Sequence, residues 1–434
     1  MQRSNDPLRA LLAEAGWTGE QLARAVNTAA AEAGVPGTCD RTAVSHWLAG
    51  RWPRPPVPEL LAEALSRGLG RPVAVADFEP RSRSGAQSRP GIETLASLAR
   101  VQSSGRRKPS AYSLELLADL RSGAPAVALD LATDTDTGMR LSADQVAATE
   151  AMATLFAAGD AAFGGGHSRQ ALSAYLAQDV LPRLRAAGGA AVRRRMFISA
   201  SQLAYLCGFM CYDDELHGVA QRYFAVSLGL ARESADQASH AITLRAMSVQ
   251  ARQLGHFRDS VGLAEASVAN GAGLEPGRQA FLYGQLAVAH AADGARAHAL
   301  SCLATAERFL DRATSANVLI GAYHPAALYH QQAVVCALLG DRKAAVASLA
   351  TSARHRPAAE RRSGAIILAR LAEMQLSCGH VEESTVTWHR FLDDYGALQS
   401  GRATTALRNL RAGLRPYGAN PLVRVLLSRA ASLR

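Results

Sequence analysis

The segment Gly255-His256-Phe257-Arg258-Asp259-Ser260 decides the fold. An apolar helical pattern runs into Gly255, a few polar residues follow, and Ser260 opens a second apolar helix. The same form recurs at Gly294-Ala295-Arg296, Gly340-Asp341-Arg342 and Gly379-His380-Val381, and earlier at Gly166-His167-Ser168. A sixth turn, near Asp214-Glu215, lacks the glycine. Successive turns lie about 39 to 49 residues apart, the period of a helical-repeat array. Five places after each turn stands a small residue: Ala171, Ala220, Ser260, Ala299, Ala345 and Ser384. Four further on stand Tyr175, Phe224, Ala264, Leu303, Leu349 and Trp388. Small residues let paired helices approach, and the next position on the same face fills the space between them.

Composition agrees with a helical chain. Of 434 residues, 48% are hydrophobic, 6% aromatic and 19% charged, which permits a sizeable core and favours helices over sheets. No apolar run reaches the ~18 residues of a membrane span, and the start of the chain lacks the apolar stretch of a signal peptide. A cytoplasmic, nucleoid-associated protein is the expectation. Six cysteines, Cys39, Cys207, Cys211, Cys302, Cys336 and Cys378, form no CxxC pair and read as reduced apolar filler. No metal site or cofactor is expected. Phosphate-binding glycine loops, GxSxG and HExxH are all absent, so an enzyme is not expected either.

The first eighty residues follow a different plan. Leu8, Leu11 and Leu12 share a helix face that Gly16 ends. Thr18 can cap a second helix with Leu22, Ala23, Val26, Ala29, Ala30 and Ala33 on one side. After a turn at Val35-Pro36-Gly37-Thr38-Cys39, Asp40 can cap a third helix with Val44, Trp47 and Leu48 inward. Its outward residues are Arg41, Thr42, Ser45 and His46. A proline-rich loop leads to a fourth helix bearing Leu60, Leu61, Ala64, Leu65 and Leu69. This four-helix unit, residues 1–79, carries six arginines against six acidic residues over its first 60 positions. The following stretch, Arg81 to Lys108, holds seven basic residues and one acid. Residues 80–110 read as a basic flexible linker, broken by a short helix near Ile92 to Val101. Residues 111–141 read as linker or cap, with a helix near Tyr112 to Leu120 and a loop around Thr133 to Gly138.

Leu22-Ala23, Val44, Trp47 and Gly50, with prolines before a leucine-rich helix, resemble the Cro/repressor helix-turn-helix family. The strings Gly16-Trp17-Thr18-Gly19-Glu20-Gln21-Leu22-Ala23 and Thr42-Ala43-Val44-Ser45-His46-Trp47-Leu48-Ala49-Gly50 carry the likeness further. With Arg54-Pro55-Pro56-Val57-Pro58, they are similar to an actinobacterial group that joins such a domain to tetratricopeptide repeats. Some members repress differentiation and antibiotic production in Streptomyces. The extended segment from Asn27 to Cys39 departs from the phage repressors. The resemblance implies sequence-specific binding of a double-stranded DNA operator, in a homodimer. Arg41, Thr42 and His46 would face base edges, with Ser45 beside them on the DNA-binding side, and Thr18, Gly19, Arg51 and Arg54 the phosphates.

From Ser142 to residue 434, the turn-and-small-residue pattern is similar to the tetratricopeptide family, with Pro357 where that family often places a closing proline. That likeness implies a superhelix whose first helices line a concave face. It would bring Gln202, Tyr205, Phe209 and Tyr212, then Arg245, Arg252 and Gln253, then Gln285, to that face. His330, Gln331, Arg370 and Glu373 would follow. Arginines among aromatics there suit a peptide, small-molecule or protein ligand with a carboxylate. Helices over Arg402 to Leu414 and Pro421 to Leu433 would cap the array. The expected whole is all-α: a helix-turn-helix domain plus a tetratricopeptide-like solenoid, serving as a transcriptional regulator. The alternatives are an interaction scaffold with a vestigial helix-turn-helix, and a peptide-signal receptor like Gram-positive quorum-sensing regulators.

Overall fold

The computed structural model describes residues 4–35, 39–79, 92–104, 110–121, 140–314 and 323–433. The expected turn at 36–38, the linker segments 80–91 and 105–109, and the loop before Arg140 lie outside these. Among the described residues all regular structure is helical.

The first unit comprises α1 (Asp6–Glu14), α2 (Gly19–Glu32), α3 (Arg41–Leu48) and α4 (Val57–Leu69). Thr18 and Gln21 form a reciprocal cap: the Gln21 N–H donates to Thr18 Oγ1 at 3.3 Å, and the Thr18 N–H to Gln21 Oε1 at 2.8 Å. Asp40 Oδ1 accepts the Ala43 N–H at 2.8 Å and starts α3. The longer α2–α3 connection is tied by Asn27, which donates to the Cys39 carbonyl at 2.8 Å and accepts the Cys39 N–H at 2.7 Å. Leu8, Leu22, Val26, Val44, Trp47, Leu61 and Leu65 bury a separate core. A Cβ on Gly19 would already meet Val44 Cγ1 at 3.5 Å, so the start of α2 lies close against α3.

Two helices precede the array: α5 (Ile92–Ser103) and α6 (Leu114–Arg121). Residues 92–103 are therefore not flexible linker. Ile92, Leu95, Ala96 and Ala99 are buried in the main core, and Arg169 bonds Gln102. The apolar positions of α5 repeat at i, i+3 and i+4, which fixes it against the first repeat.

The array is built of hairpins. They are α7 (Ala143–Phe163) with α8 (Gly165–Tyr175), α10 (Ala190–Asp213) with α11 (His217–Glu233), and α12 (Gln237–Gln253) with α13 (Phe257–Asn270). Then come α14 (Pro276–Ala292) with α15 (Arg296–Leu310), α16 (Pro325–Leu338) with α17 (Arg342–His355), and α18 (Arg361–Ser377) with α19 (Val381–Tyr395). A short α9 (Leu181–Arg185) follows α8 through a widened turn at Leu176–Val180, just before Pro182. The last pair is α20 (Gly401–Leu414) and α21 (Pro421–Ala431). Hairpin turns carry positive φ at Gly255, Gly294, Gly340 and Gly379, a conformation glycine adopts without a Cβ clash. Ala220, Ser260, Ala299, Ala345 and Ser384 are each fully buried where the paired helices meet.

The first repeat departs from the expected register. Its turn is at Gly164, with φ +91°, and Gly166 already lies within α8. Ala171 is exposed, and Leu172 and Ser173 pack inside instead. The helix starts two residues earlier than the Gly166 reading assumed, so every later position shifts with it. At the fifth place after Gly164 stands Arg169, ion-paired with Asp214 at 2.9 Å.

The array closes on itself. Gly166 N–H donates to the Gln399 carbonyl at 2.9 Å, and Gln399 N–H to the Phe163 carbonyl at 2.7 Å. A Cβ on Gly401 would lie 2.8 Å from the Asp214 carbonyl carbon, so the start of α20 is seated on the end of α10. The helix expected only to cap the array thus also joins its last repeat to its first. The concave face is an interior bounded by both ends of the array, not an open groove.

Candidate functional site

Two regions hold the residues singled out in the sequence. The first is the outer side of α3. Arg41, Thr42, Ser45 and His46 are all exposed, as are Thr18, Arg51 and Arg54, while Gly19 is half-buried beneath Val44. The array approaches this unit from the other side, through α4. Glu63, 3% exposed, accepts the Leu114 N–H at 3.0 Å and the Arg67 Nε–H at 2.7 Å, and lies 3.7 Å from His256 Nε2. Burial pushes the Glu63 carboxyl up, against the pull of Arg67. Burial likewise pushes His256 down to about 4, with the Arg67 charge adding to it. Arg67 forks onto Glu32 at 2.9 and 2.7 Å, tying α2 to α4. The stretch of chain before α6 is seated on α11, where Gln221 exchanges hydrogen bonds with the Ser113 backbone at 2.8 and 2.7 Å. The unit is held by its fourth helix and keeps α3 outward.

The second region is the interior of the closed array, lined by first helices. Tyr205, Phe209 and Tyr212 on α10 form a run of adjoining rings. Arg245 on α12 lies with its guanidinium 3.7 Å from the centre of the Phe281 ring, and Phe281 packs on Tyr323. Tyr212 bonds Gln253. Arg252 at the end of α12 and Arg370 on α18 are near enough to repel each other and to influence His330 on α16. Burial lowers the pKa of Arg245, Arg252 and Arg370, and Arg252 further lowers those of Arg245 and Arg370. His330 is held well below its usual value by burial, then by Arg370, Arg356, Arg252 and Arg402, so its ring is neutral at pH 7. Buried Nε atoms of Arg245 and Arg252, and Nε2 of His330, have no hydrogen-bond partner. Among the described residues no carboxylate reaches ion-pair distance of Arg245, Arg252 or Arg370. Glu373 exerts only a small opposing effect on Arg370 and itself accepts from Asn409 at 3.0 Å.

Not every expected inward residue belongs to this interior. Gln285 is buried between helices, donating to Ser248 Oγ at 3.0 Å. Gln331 is buried beside Gly284 and bonds Tyr323. Gln202 lines a cavity of about 130 Å³ with Asp236 and Arg278, which Tyr205 borders as well as adjoining Phe209. Gln253 is exposed.

Sequence reasoning missed the seam that closes the interior. Arg362 donates to Asp160 Oδ2 at 3.0 Å and to the Asp160 carbonyl at 3.1 Å. Arg402 donates twice to Asp213 Oδ1, at 3.0 and 2.8 Å, and Arg362 lies 3.6 Å from the same oxygen. Asp213 Oδ2 also accepts the Gly165 N–H at 3.0 Å. The two carboxyls behave oppositely. Burial drives Asp160 up to about 6 despite Arg362. Burial also acts on Asp213, but Arg402 and Arg362 together outweigh it and hold that carboxyl below the usual range. Arg362 stacks on Phe209 and Arg402 on Tyr212. No local pattern marks these partners, which lie 202 and 189 residues apart.

Among the described residues no cluster of His, Cys, Asp and Glu could hold a metal ion. No described helix is long and apolar enough to cross a membrane. Cys207 and Cys211 share the buried face of α10, Cys207 within 3.4 Å of Ser173 Oγ.

The family described as the SP15 N-terminal domain matches residues 8–79, the four-helix unit. No curated protein matches the chain. Among solved structures, the chain is similar to TTC0263, a thermophilic TPR protein of Thermus thermophilus. Identity is 21% and the TM-score 0.35, over 54% of this chain and 100% of that one. It is also similar to a Podosopora anserina putative kinesin light chain with nearly identical TPR-like repeats. There identity is 18% and the TM-score 0.33, over 45% of this chain and 96% of that one.

Proposed function

We propose that the protein is an interaction module made of a closed array of helical repeats, which carries a helix-turn-helix for reading duplex DNA. The array would take up a partner or ligand, and α3 would enter the major groove of an operator. The observation that supports DNA reading is the free outer side of α3. Arg41, Thr42, Ser45 and His46 are exposed together, while the array grips the unit through α4 on the other side. An arginine fork suits guanine, a threonine methyl suits thymine, and α2 offers its N-terminus to a phosphate. Two-fold operators call for two copies of the chain, one per half-site about 34 Å apart. The actinobacterial resemblance makes development or secondary metabolism the process under control.

The test is capture of fragmented source-genome DNA by the full chain near ~150 mM salt, where phosphate contacts alone hold DNA weakly. A shared sequence motif is expected. It should weaken about 10-fold or more in Arg41→Ala with His46→Ala, since each base-edge contact contributes roughly 1–3 kcal/mol. Uniform retention, or none, would defeat the reading.

A second reading makes the chain a protein-interaction scaffold with a vestigial helix-turn-helix. One observation favours it: buried Glu63 accepts the Leu114 N–H and so fastens the four-helix unit to the start of α6. In that case the Arg41/His46 variant would change nothing, and captured partners would be proteins.

A further inference from the structure

We propose that the interior of the array is a binding site for a small, multiply charged anion, with Arg245, Arg252 and Arg370 as its ligands. The inference deepens the reading of the array as the ligand-holding part, and does not depend on DNA binding.

Arg245 and Arg252 on α12 and Arg370 on α18 belong to first helices of an array that closes on itself. Guanidinium stays charged in proteins, so its cost of burial cannot be relieved by losing a proton. Buried cations in a folded chain are ordinarily paired. The same chain does this at its seam, where Arg362 and Arg402 meet Asp160 and Asp213, and at Arg356, paired with Glu360 at 2.7 Å. The interior lacks that compensation. Arg245 leans on the Phe281 face and keeps a buried Nε–H without an acceptor. Arg252 likewise keeps a buried Nε–H free and has Arg370 and Arg245 as like-charged neighbours. His330 adds a neutral ring with a free Nε2. Unused donors and uncompensated positive charge in a low-dielectric space are complementary to an anion that brings several acceptors.

Charge sets the ligand's class. Three unpaired arginines ask for two or more negative charges on adjacent acid oxygens, as in a phosphorylated small molecule or a polycarboxylate. The closure of the array sets its size. Both ends of the array bound the space, which suits a compact molecule rather than an extended chain. The adjoining rings of Tyr205, Phe209 and Phe281 offer flat apolar surface beside the charge.

The test is thermal unfolding and titration calorimetry of the full chain with pyrophosphate and with citrate, at ionic strength held constant with sodium chloride. The two probes distinguish phosphate from carboxylate as the preferred group. A specific site gives a saturable rise in the midpoint, each further tenfold of ligand adding an equal increment. The expected result is such a rise with at least one probe, and its loss, with affinity down tenfold or more, in Arg252→Gln with Arg370→Gln. The unliganded double variant should unfold no earlier than the parent, because it sheds two charges that no carboxylate pairs at ion-pair distance, Glu373 opposing that of Arg370 only weakly. Arg252→Lys keeps the charge and loses the fork, so it should bind several-fold more weakly while folding as the parent does. No saturable response to either probe overturns the proposal. So does an undiminished response in both arginine variants, or an unliganded double variant that unfolds earlier than the parent.

Discussion

Arg362 and Arg402 at the seam and Arg245, Arg252 and Arg370 in the interior lie within one array; Arg362 is buried and the other four are half-buried. The seam arginines meet two carboxylates, a backbone carbonyl and two aromatic faces. The interior arginines meet one aromatic face and one another. The first set completes its hydrogen bonds within the chain and so holds the two ends of the array together. The second has no carboxylate at ion-pair distance among the described residues, and this, more than an unused Nε–H, separates it from paired arginines such as Arg356. Burial alone does not assign a role to an arginine; what it faces does.

The largest effect should come from breaking the seam. Asp213→Asn leaves Arg402 and Arg362 without their shared charge, and should cost about 3–5 kcal/mol of unfolding free energy in denaturant titrations. A cost below about 1 kcal/mol would remove the contrast between the two regions. Glu360 offers an intermediate case, pairing Arg356 at 2.7 Å and His324 at 2.9 Å. Despite burial, those hydrogen bonds hold its carboxyl down at about 2, from an ordinary 4.5. A depressed acid contributes stability above its unfolded value and loses it as pH falls through the folded one. Glu360→Gln should therefore cost about 2 kcal/mol at neutral pH, and its unfolding curve should meet the parent's as pH falls toward 2. Equal separation at both pH values would contradict the pairing.

Asp160 should behave with the opposite sign. Its folded carboxyl sits at about 6, above its ordinary 3.8, so this group favours the fold when protonated and loses that contribution as pH rises through 6. Asp160→Asn should cost about 1 kcal/mol or less at neutral pH and flatten the stability profile between pH 4 and 6. A penalty as large as that of Asp213→Asn would mean the two carboxyls share the seam charge evenly.

The hairpins were legible in the sequence because their signals are local. A turn glycine and the small residue five places on, as in Gly255 with Ser260 or Gly379 with Ser384, are fixed by one helix pair. The place of Arg245, Arg252 and Arg370 on the first helices of their pairs was legible for the same reason. The first repeat misled because Gly164-Gly165-Gly166 offers three glycines for one positive-φ position, and the seating of Gln399 selects the first. Helix α5 was legible from Ile92 to Val101, but the basic, serine-rich stretch around it hid that Ile92, Leu95, Ala96 and Ala99 are buried in the main core. The seam left no sequence signal, since Asp160 and Arg362 become neighbours only when the whole array has curved round. The missing counter-charge was also invisible, because it depends on what every other inner helix brings to the space.

The most direct measurement compares the unliganded midpoints of Arg402→Met and Arg252→Met, two arginine deletions of equal chemistry. Arg402→Met leaves Asp213 short of a partner and should unfold earlier by several degrees, a cost of about 3 kcal/mol. Arg252→Met removes an uncompensated charge and should unfold at the parent's midpoint or above it, a gain of about 1 kcal/mol. Opposite signs would establish that the interior arginines are held for a ligand. A fall of similar size in both would mean that they hold the fold, and would contradict the distinction.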